Sequence, residues 1–143
     1  MARPAPAFPK TYANRPLRTA LEAFAAHPDE STLEAMLDAM TRGGLVIDLT
    51  GTADAGDPQA RTILSTDGRQ ILPLFTSVTE LRAAVPPAAR KAVRATILPA
   101  PIALRLVEGG DIVAVQFDAG SIAQIVTRPF VDRALARLSP DGE

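Results

Sequence analysis

The sequence predicts a single α/β domain of α+β type: a helical hairpin, then a mixed sheet of about four to five strands with helices on both faces. Three observations predict it. Apolar residues recur at helical spacing in two successive segments, Leu17-Leu21-Phe24 and Leu33-Met36-Leu37-Met40. The stretch from Thr62 to Glu80, TILSTDGRQILPLFTSVTE, joins two apolar arms through Asp67-Gly68 and reads as a β-hairpin over 62–75. Ile112 to Phe117, IVAVQF, is an apolar, β-branched run of strand length.

Composition bounds the rest. With 143 residues the chain has room for one domain that buries about two-thirds of its unfolded surface. It has no cysteine, which excludes disulfides, thiol nucleophiles and zinc–thiolate sites, and its single histidine excludes multi-histidine metal sites. Fifteen basic and sixteen acidic residues leave a net charge of −1 with the cations scattered, so nucleic acid is not an expected partner. No apolar run approaches the ~20 residues that span a bilayer, and the amino terminus lacks a signal-peptide pattern. The expected location is the cytoplasm, without membrane contact.

Residues 1–16 carry Pro4, Pro6, Pro9 and Pro16 and read as a flexible arm, with Phe8 and Tyr12 as the two aromatics that offer local packing; residues 17–138 form the domain and 139–143 a frayed tail. The first helix runs from Leu17 and stops at or before His27, because Pro28 disfavours helical backbone in the residue ahead of it. His27 has no cysteine or second histidine near it in sequence and reads as a surface or capping residue. Asp29 or Ser31 caps the second helix, Gly43-Gly44 ends it, and Glu34 and Asp38 lie on its solvated side.

Leu45 to Leu49 suits a strand, and Thr50 to Ala60, TGTADAGDPQA, a flexible loop. Asp48, Asp54 and Asp57 do not follow the calcium-loop spacing, and Gly51 to Gly56 lacks the Lys-Ser/Thr of a phosphate loop. In the hairpin a two-residue type I′ turn at Asp67-Gly68 sets Thr66 opposite Arg69, Leu64 opposite Ile71 and Ile63 opposite Leu72. Both faces are then apolar, so the sheet is expected to be covered on both sides near the hairpin. Pro73 has no N–H to donate, and the pairing is expected to fray or bulge there. Ser77 and Glu80 have capping-box spacing for a helix starting near Val78.

After Pro86, Pro87 is placed to open another helix through Thr96, with Arg90, Lys91 and Arg94 as a solvated basic face or one that meets an acidic partner. Residues 102–107 suit a helix from Pro101 or a strand, and Glu108-Gly109-Gly110-Asp111 favours the helix. Ile122 to Val126 reads as one more short strand, and Arg128-Pro129 opens a closing helix with Val131, Ala134, Leu135 and Leu138 inward.

Catalysis needs an activated nucleophile or a tuned acid–base pair. The chain has no G-x-S-x-G, no H-E-x-x-H and no paired carboxylates in an apolar setting, so no catalytic, metal or cofactor-binding residue is assigned and an enzyme is not expected. Geometry offers a candidate instead. If the strands at 45–49, 70–75 and 112–117 run parallel, Thr50-Gly51-Thr52, Thr76-Ser77 and Asp118 to Ser121 share one edge, where α/β sheets place ligands. The candidate binding edge is Phe75, Thr76, Ser77, Asp118, Gly120 and Ser121.

The order of these pieces resembles the amino-terminal domain of the SseB family, the enhanced-serine-sensitivity proteins also labelled type III secretion SseB-like. The resemblance covers roughly 17–138 and rests on the helical hairpin LEAFAAHPDESTLEAMLDAM, on DGRQILPLFTSVTEL and on the late apolar strand with its Gly-Ser turn. Leu72-Pro73-Leu74-Phe75-Thr76-Ser77 is similar to the family's "lPvFTs" run, while Phe117-Asp118-Ala119-Gly120-Ser121 stands where the family usually has an Asn-Pro-Gly turn. The resemblance implies the α/β fold and a non-enzymatic role. The expected function is a cytoplasmic protein-interaction or regulatory module, its partner another protein or a second copy; the alternative is a sensor of a small ligand, amino acid or nucleotide, at the strand-end rim.

Overall fold

The computed structural model describes residues 8–51, 59–109 and 111–138. Helices α1 (Arg15–Ala26) and α2 (Glu30–Ala39) form the expected hairpin, and α1 ends before the residue that Pro28 restricts. Asn14 caps α1 through its side-chain oxygen, which accepts from the Leu17 N–H at 3.2 Å. Asp29 caps α2 in a reciprocal box: its carboxylate accepts from the Thr32 N–H at 2.9 Å, and the Thr32 hydroxyl oxygen accepts from the Asp29 N–H at 3.0 Å. Glu34, expected to be solvated, instead pairs with Arg133 and Arg137 and ties α2 to the last helix.

The remaining elements are β1 (Gly44–Asp48), β2 (Ile63–Leu64), β3 (Gln70–Phe75), α3 (Val78–Ala83), β4 (Ala95–Pro99), α4 (Ala100–Leu104), β5 (Ile112–Phe117), β6 (Gln124–Thr127) and α5 (Arg128–Leu135). The 102–107 segment is helical, as α4 followed by a 3₁₀ turn at Arg105–Gly109. The strands form one mixed sheet in the order β4-β1-β3-β5-β6, with β2 paired to β3. Only β3 and β5 are parallel; β1 runs antiparallel to β3, with Val46 opposite Phe75 and Ile47 opposite Leu74.

That direction corrects the shared-edge expectation. The carboxyl end of β1, at Thr50-Gly51, leaves the sheet at the edge away from Thr76 and Asp118, and the start of β1 at Gly44 arrives beside them. Thr52 lies outside the described residues.

Three further expectations give way to tertiary structure. Thr96 is in strand, not helix: the proline pair opens only a 3₁₀ turn (Pro87–Ala92), Val93 turns extended, and the β-branched Thr96 and Ile97 pair along β1 from Asp48↔Ala95 to Gly44↔Pro99. This adds a strand to the expected count. The hairpin closes with the Ser65 N–H on the Arg69 carbonyl at 2.8 Å, so its loop is Thr66-Asp67-Gly68 and only Gly68 takes a positive φ. The register moves by one, to Ile63↔Ile71 and Leu64↔Gln70. The pairing with β2 ends two residues short of Pro73, and the ladder with β5 slips between Gln70 and Ile71. Finally, the sheet is not covered on both sides at the hairpin: Ile63 is 37% and Leu64 68% exposed.

Alternation along the strands divides the core. Leu45, Ile47, Leu72, Leu74, Val115, Phe117 and Val126 face α1, α2, α4 and α5. Val46, Phe75 and the half-buried Ile97 face the other way, onto Leu81 of α3 and Val93. Each fully buried Leu, Ile, Val or Phe contributes about 1.5–3 kcal/mol. From Phe8 the expected arm meets this body. The Tyr12 hydroxyl accepts from the Gly44 N–H at 2.9 Å, Phe8 and Tyr12 rings lie 4.7 Å apart, and the Asn14 N–H donates to the Thr76 carbonyl at 2.8 Å. Among the described residues no helix is long and apolar enough to cross a membrane.

Candidate functional site

Because β3 and β5 are parallel, their ends at Phe75 and Phe117 lie side by side, and the chain leaves both at one corner. Asp118 turns the chain there with φ +51, a left-handed conformation that Asp tolerates better than most residues. Its N–H donates to the Leu74 carbonyl at 3.0 Å, and its own carbonyl accepts from Ser121 and Ala123 at 3.0 and 2.9 Å. A tight turn results.

The Asp118 carboxylate is fully buried and fully engaged. Oδ1 accepts from the Thr76 N–H at 2.8 Å; Oδ2 accepts from the Thr76 hydroxyl at 2.8 Å and from Arg18 Nη1 at 2.8 Å. Arg18 reaches in from α1 and also meets Ser121 Oγ at 3.0 Å, Glu80 Oε2 at 3.2 Å and, through Nε, Glu22 Oε2 at 2.9 Å. Ser121 in turn donates its hydroxyl to Glu80 Oε1 at 2.7 Å. The bond to Glu22, then those to Asp118 and the charge of Glu80, hold the guanidinium protonated beyond its ordinary range against the opposing effect of burial.

The same network explains an incomplete cap. Ser77 accepts from the Glu80 N–H at 3.2 Å, as the spacing predicts, but the Glu80 carboxylate turns away to Ser121 and Arg18 instead of closing the box. Asn14 completes the corner with Nδ2 on the Gly44 and Arg42 carbonyls at 2.9 and 3.0 Å. Gly120 sits where a Cβ would lie 2.8 Å from Ala84 Cα, so the turn packs directly on the end of α3.

All six residues of the candidate edge therefore meet at one corner, in two groups. Phe75, Thr76 and Asp118 are buried, and their side chains build the inside of the corner instead of a contact edge. Ser77, Gly120 and Ser121 stay at or near the surface. Sequence reasoning missed Arg18 and gave Glu80 only a capping role. Arg18 shows its i,i+4 spacing to Glu22 in the sequence, but its partner a hundred residues later leaves no local mark. Chemically the corner is a clasp: every buried side-chain polar atom among the described residues has a partner, and Arg18 is shared by three carboxylates. Among the described residues no His, Asp and Glu cluster is placed to hold a metal. Asp48 accepts from the Thr50 N–H at 2.8 Å, and Asp54 and Asp57 lie outside the described residues.

The family model of the SseB protein N-terminal domain matches residues 17–131. The chain belongs to the SseB family. No curated protein and no solved structure matches it significantly. In this SseB domain the clasp joins the family-like run Leu72 to Ser77 to α1, α3 and the β5 turn, which makes that run an internal joint.

Beyond the joint, the second face of the SseB sheet divides at β3. Its β1, β3 and β4 side is covered by α3 and Val93, whereas Ile71 and Ile125 line a trough of about 800 Å³ over β5 and β6 on the other side, with Ile63 beside Ile71 on the same face. Arg69 and Arg128 stand at its margins together with Asp67 and Asp111.

Proposed function

We propose that this SseB-family domain is a non-enzymatic, cytoplasmic interaction module, and that it docks a partner protein through the open part of its second sheet face. One observation carries the reading. Ile63 and Ile125 are 37% and 40% exposed on the sheet face that they share with Ile71. The buried strand residues, in contrast, pack against α1, α2, α4 and α5 on one side and α3 on the other. The partner chemistry that fits is an amphipathic helix, its apolar stripe on Ile63, Ile71 and Ile125 and mixed charges toward Arg69, Arg128, Asp67 and Asp111. The clasp at Asp118 supports this role by fixing β3 against β5, so the trough is preformed.

The test is affinity capture from the host's lysate with the domain and with an Ile63→Glu/Ile125→Glu variant, whose exposed sites leave the fold intact. Loss of a captured protein that the wild type retains, with an unchanged melting curve, is the expected result. Identical capture by both overturns the docking face. A concentration-dependent dimer abolished by the same variant replaces the partner helix with a second copy.

A further inference from the structure

A second cleft, of about 460 Å³, lies between α3, the 3₁₀ turn, β4 and the docked residue Phe8. Its floor is apolar, with Phe8 and Ile97, and four cations surround it: Lys10, Arg82, Lys91 and Arg94. No carboxylate lines it. The net charge is −1; six arginines elsewhere, Arg18, Arg42, Arg69, Arg128, Arg133 and Arg137, pair with carboxylates, and Arg15, Arg61, Arg90 and Arg105 have no ion pair among the described residues. Lys10, Arg82, Lys91 and Arg94 have no ion pair among the described residues.

Arg94 and the turn that carries Lys91 are held in place. Arg94 Nη1 donates to the carbonyls of Val93 and Lys91 at 3.0 and 3.2 Å, and Arg90 Nε donates to the Arg82 carbonyl at 3.0 Å, which fastens the 3₁₀ turn to the end of α3. Four like charges around one concavity raise the local potential for anions, and low-dielectric walls focus it. The volume falls within the range of about 300–1,000 Å³ usual for small-molecule sites, and an apolar floor beneath a cationic rim matches a ligand with an apolar body and an anionic head.

We propose that this cleft binds a small amphiphilic organic anion, its apolar body on Phe8 and Ile97 and its phosphate, sulfonate or carboxylate among Lys10, Arg82, Lys91 and Arg94. The site shares no residue with the trough of the proposed docking face, so each stands or falls alone.

Phenyl phosphate is the probe, followed by ¹⁵N–¹H NMR titration at low salt, with inorganic phosphate and benzyl alcohol as its two halves. The expected result is saturable shifts of the Val78, Arg82, Thr96 and Ile97 amides with phenyl phosphate, and affinity lower by about tenfold or more for either half. Arg82→Ala/Lys91→Ala, both exposed and unpaired, weakens binding by a similar factor with the rest of the spectrum unchanged, and added salt weakens it further. Failure to saturate by ~10 mM overturns the proposal, since such affinity lies below even a fragment's ordinary range. Binding unchanged in the double variant also overturns it, as does inorganic phosphate binding as tightly as the ester. Oligoglutamate shifting these amides where phenyl phosphate does not replaces the small anion with an acidic chain.

Discussion

Thr76 holds Asp118 twice: its N–H donates to Oδ1 and its hydroxyl to Oδ2, both at 2.8 Å, inside a corner where the carboxylate is fully buried. The backbone bond survives any substitution of Thr76, but the hydroxyl bond does not. Thr76→Val keeps the shape and removes a donor from a buried charge, so it is expected to cost about 1.5–3 kcal/mol. Arg18→Met removes the counter-ion and leaves Asp118 on the two Thr76 donors alone. Its cost is expected below the roughly 3–5 kcal/mol of breaking a fully buried pair, because the Arg18 side chain is 28% exposed. Urea unfolding measures both, and the double variant is expected to be non-additive, since the two donors share one carboxylate oxygen. A Thr76→Val midpoint equal to wild type would show that the clasp does not hold the fold.

Gly120 tests how closely the β5 turn packs on α3. A Cβ there would lie 2.8 Å from both Cα and N of Ala84 and 2.9 Å from the carbonyl carbon of Ala83, all backbone atoms that cannot swing aside. Gly120→Ala is expected to cost about 1–3 kcal/mol as overpacking. Gly109→Ala, with open space around its Cβ, serves as the control and is expected to leave the unfolding midpoint near wild type.

How far these features were legible depends on the range of the interaction that makes them. Caps and helix faces are local, and Asp29, Ser77 and Leu33-Met36-Leu37-Met40 read directly from spacing. The resemblance on Leu72 to Ser77 was specific enough to name the family. What failed was decided across the sheet. Thr96 follows a proline pair and cationic residues that suit a helix, and only its pairing with Ile47 makes it strand. Ala95 to Pro99 gains a full ladder with β1, which outweighs weak local preference. The hairpin's one-residue shift arose because a three-residue loop also places Gly68 in the left-handed region, and Asp-Gly alone does not distinguish the two loops. The residues of the candidate edge do meet at one corner, but adjacency in space does not reveal burial. Arg18, from α1, closes the inside that sequence spacing reads as a rim.

Asp29 supplies a pH test at the α2 cap. The Thr32 backbone bond, above the other local hydrogen bonds, holds its carboxyl below the ordinary aspartate value. A folded pKa below the unfolded one makes the contribution complete above the unfolded value of about 3.9 and lost as pH falls through the folded value. Asp29→Asn keeps a strong N-cap without a charge, so it is expected to flatten that acid limb and leave stability near neutral pH little changed. Asp29→Ala lowers stability at neutral pH because the cap itself is gone. Thermal melting between pH 2 and 7 separates the variants, and an Asp29→Asn profile identical to wild type removes the cap from the acid response.

The hydroxyl of Tyr12 is the most direct measure of how firmly the leading segment is part of the body. It accepts from the N–H of Gly44, a buried residue opposite Pro99, which has no N–H of its own to contribute at that edge. Tyr12→Phe leaves the ring against Phe8 and strands one backbone donor, a loss expected to cost about 1–3 kcal/mol. Ala13 bridges Ser77 and the Asn14 N–H binds the Thr76 carbonyl, so loosening Tyr12 also loosens the corner around Asp118. Amide exchange is expected to accelerate at Asn14 and Gly44 first and at Thr76 next, while α5, which packs on β5, β6 and α2, keeps its protection. Equal exchange at Gly44 in the variant and the wild type would mean that the segment only rests on the domain.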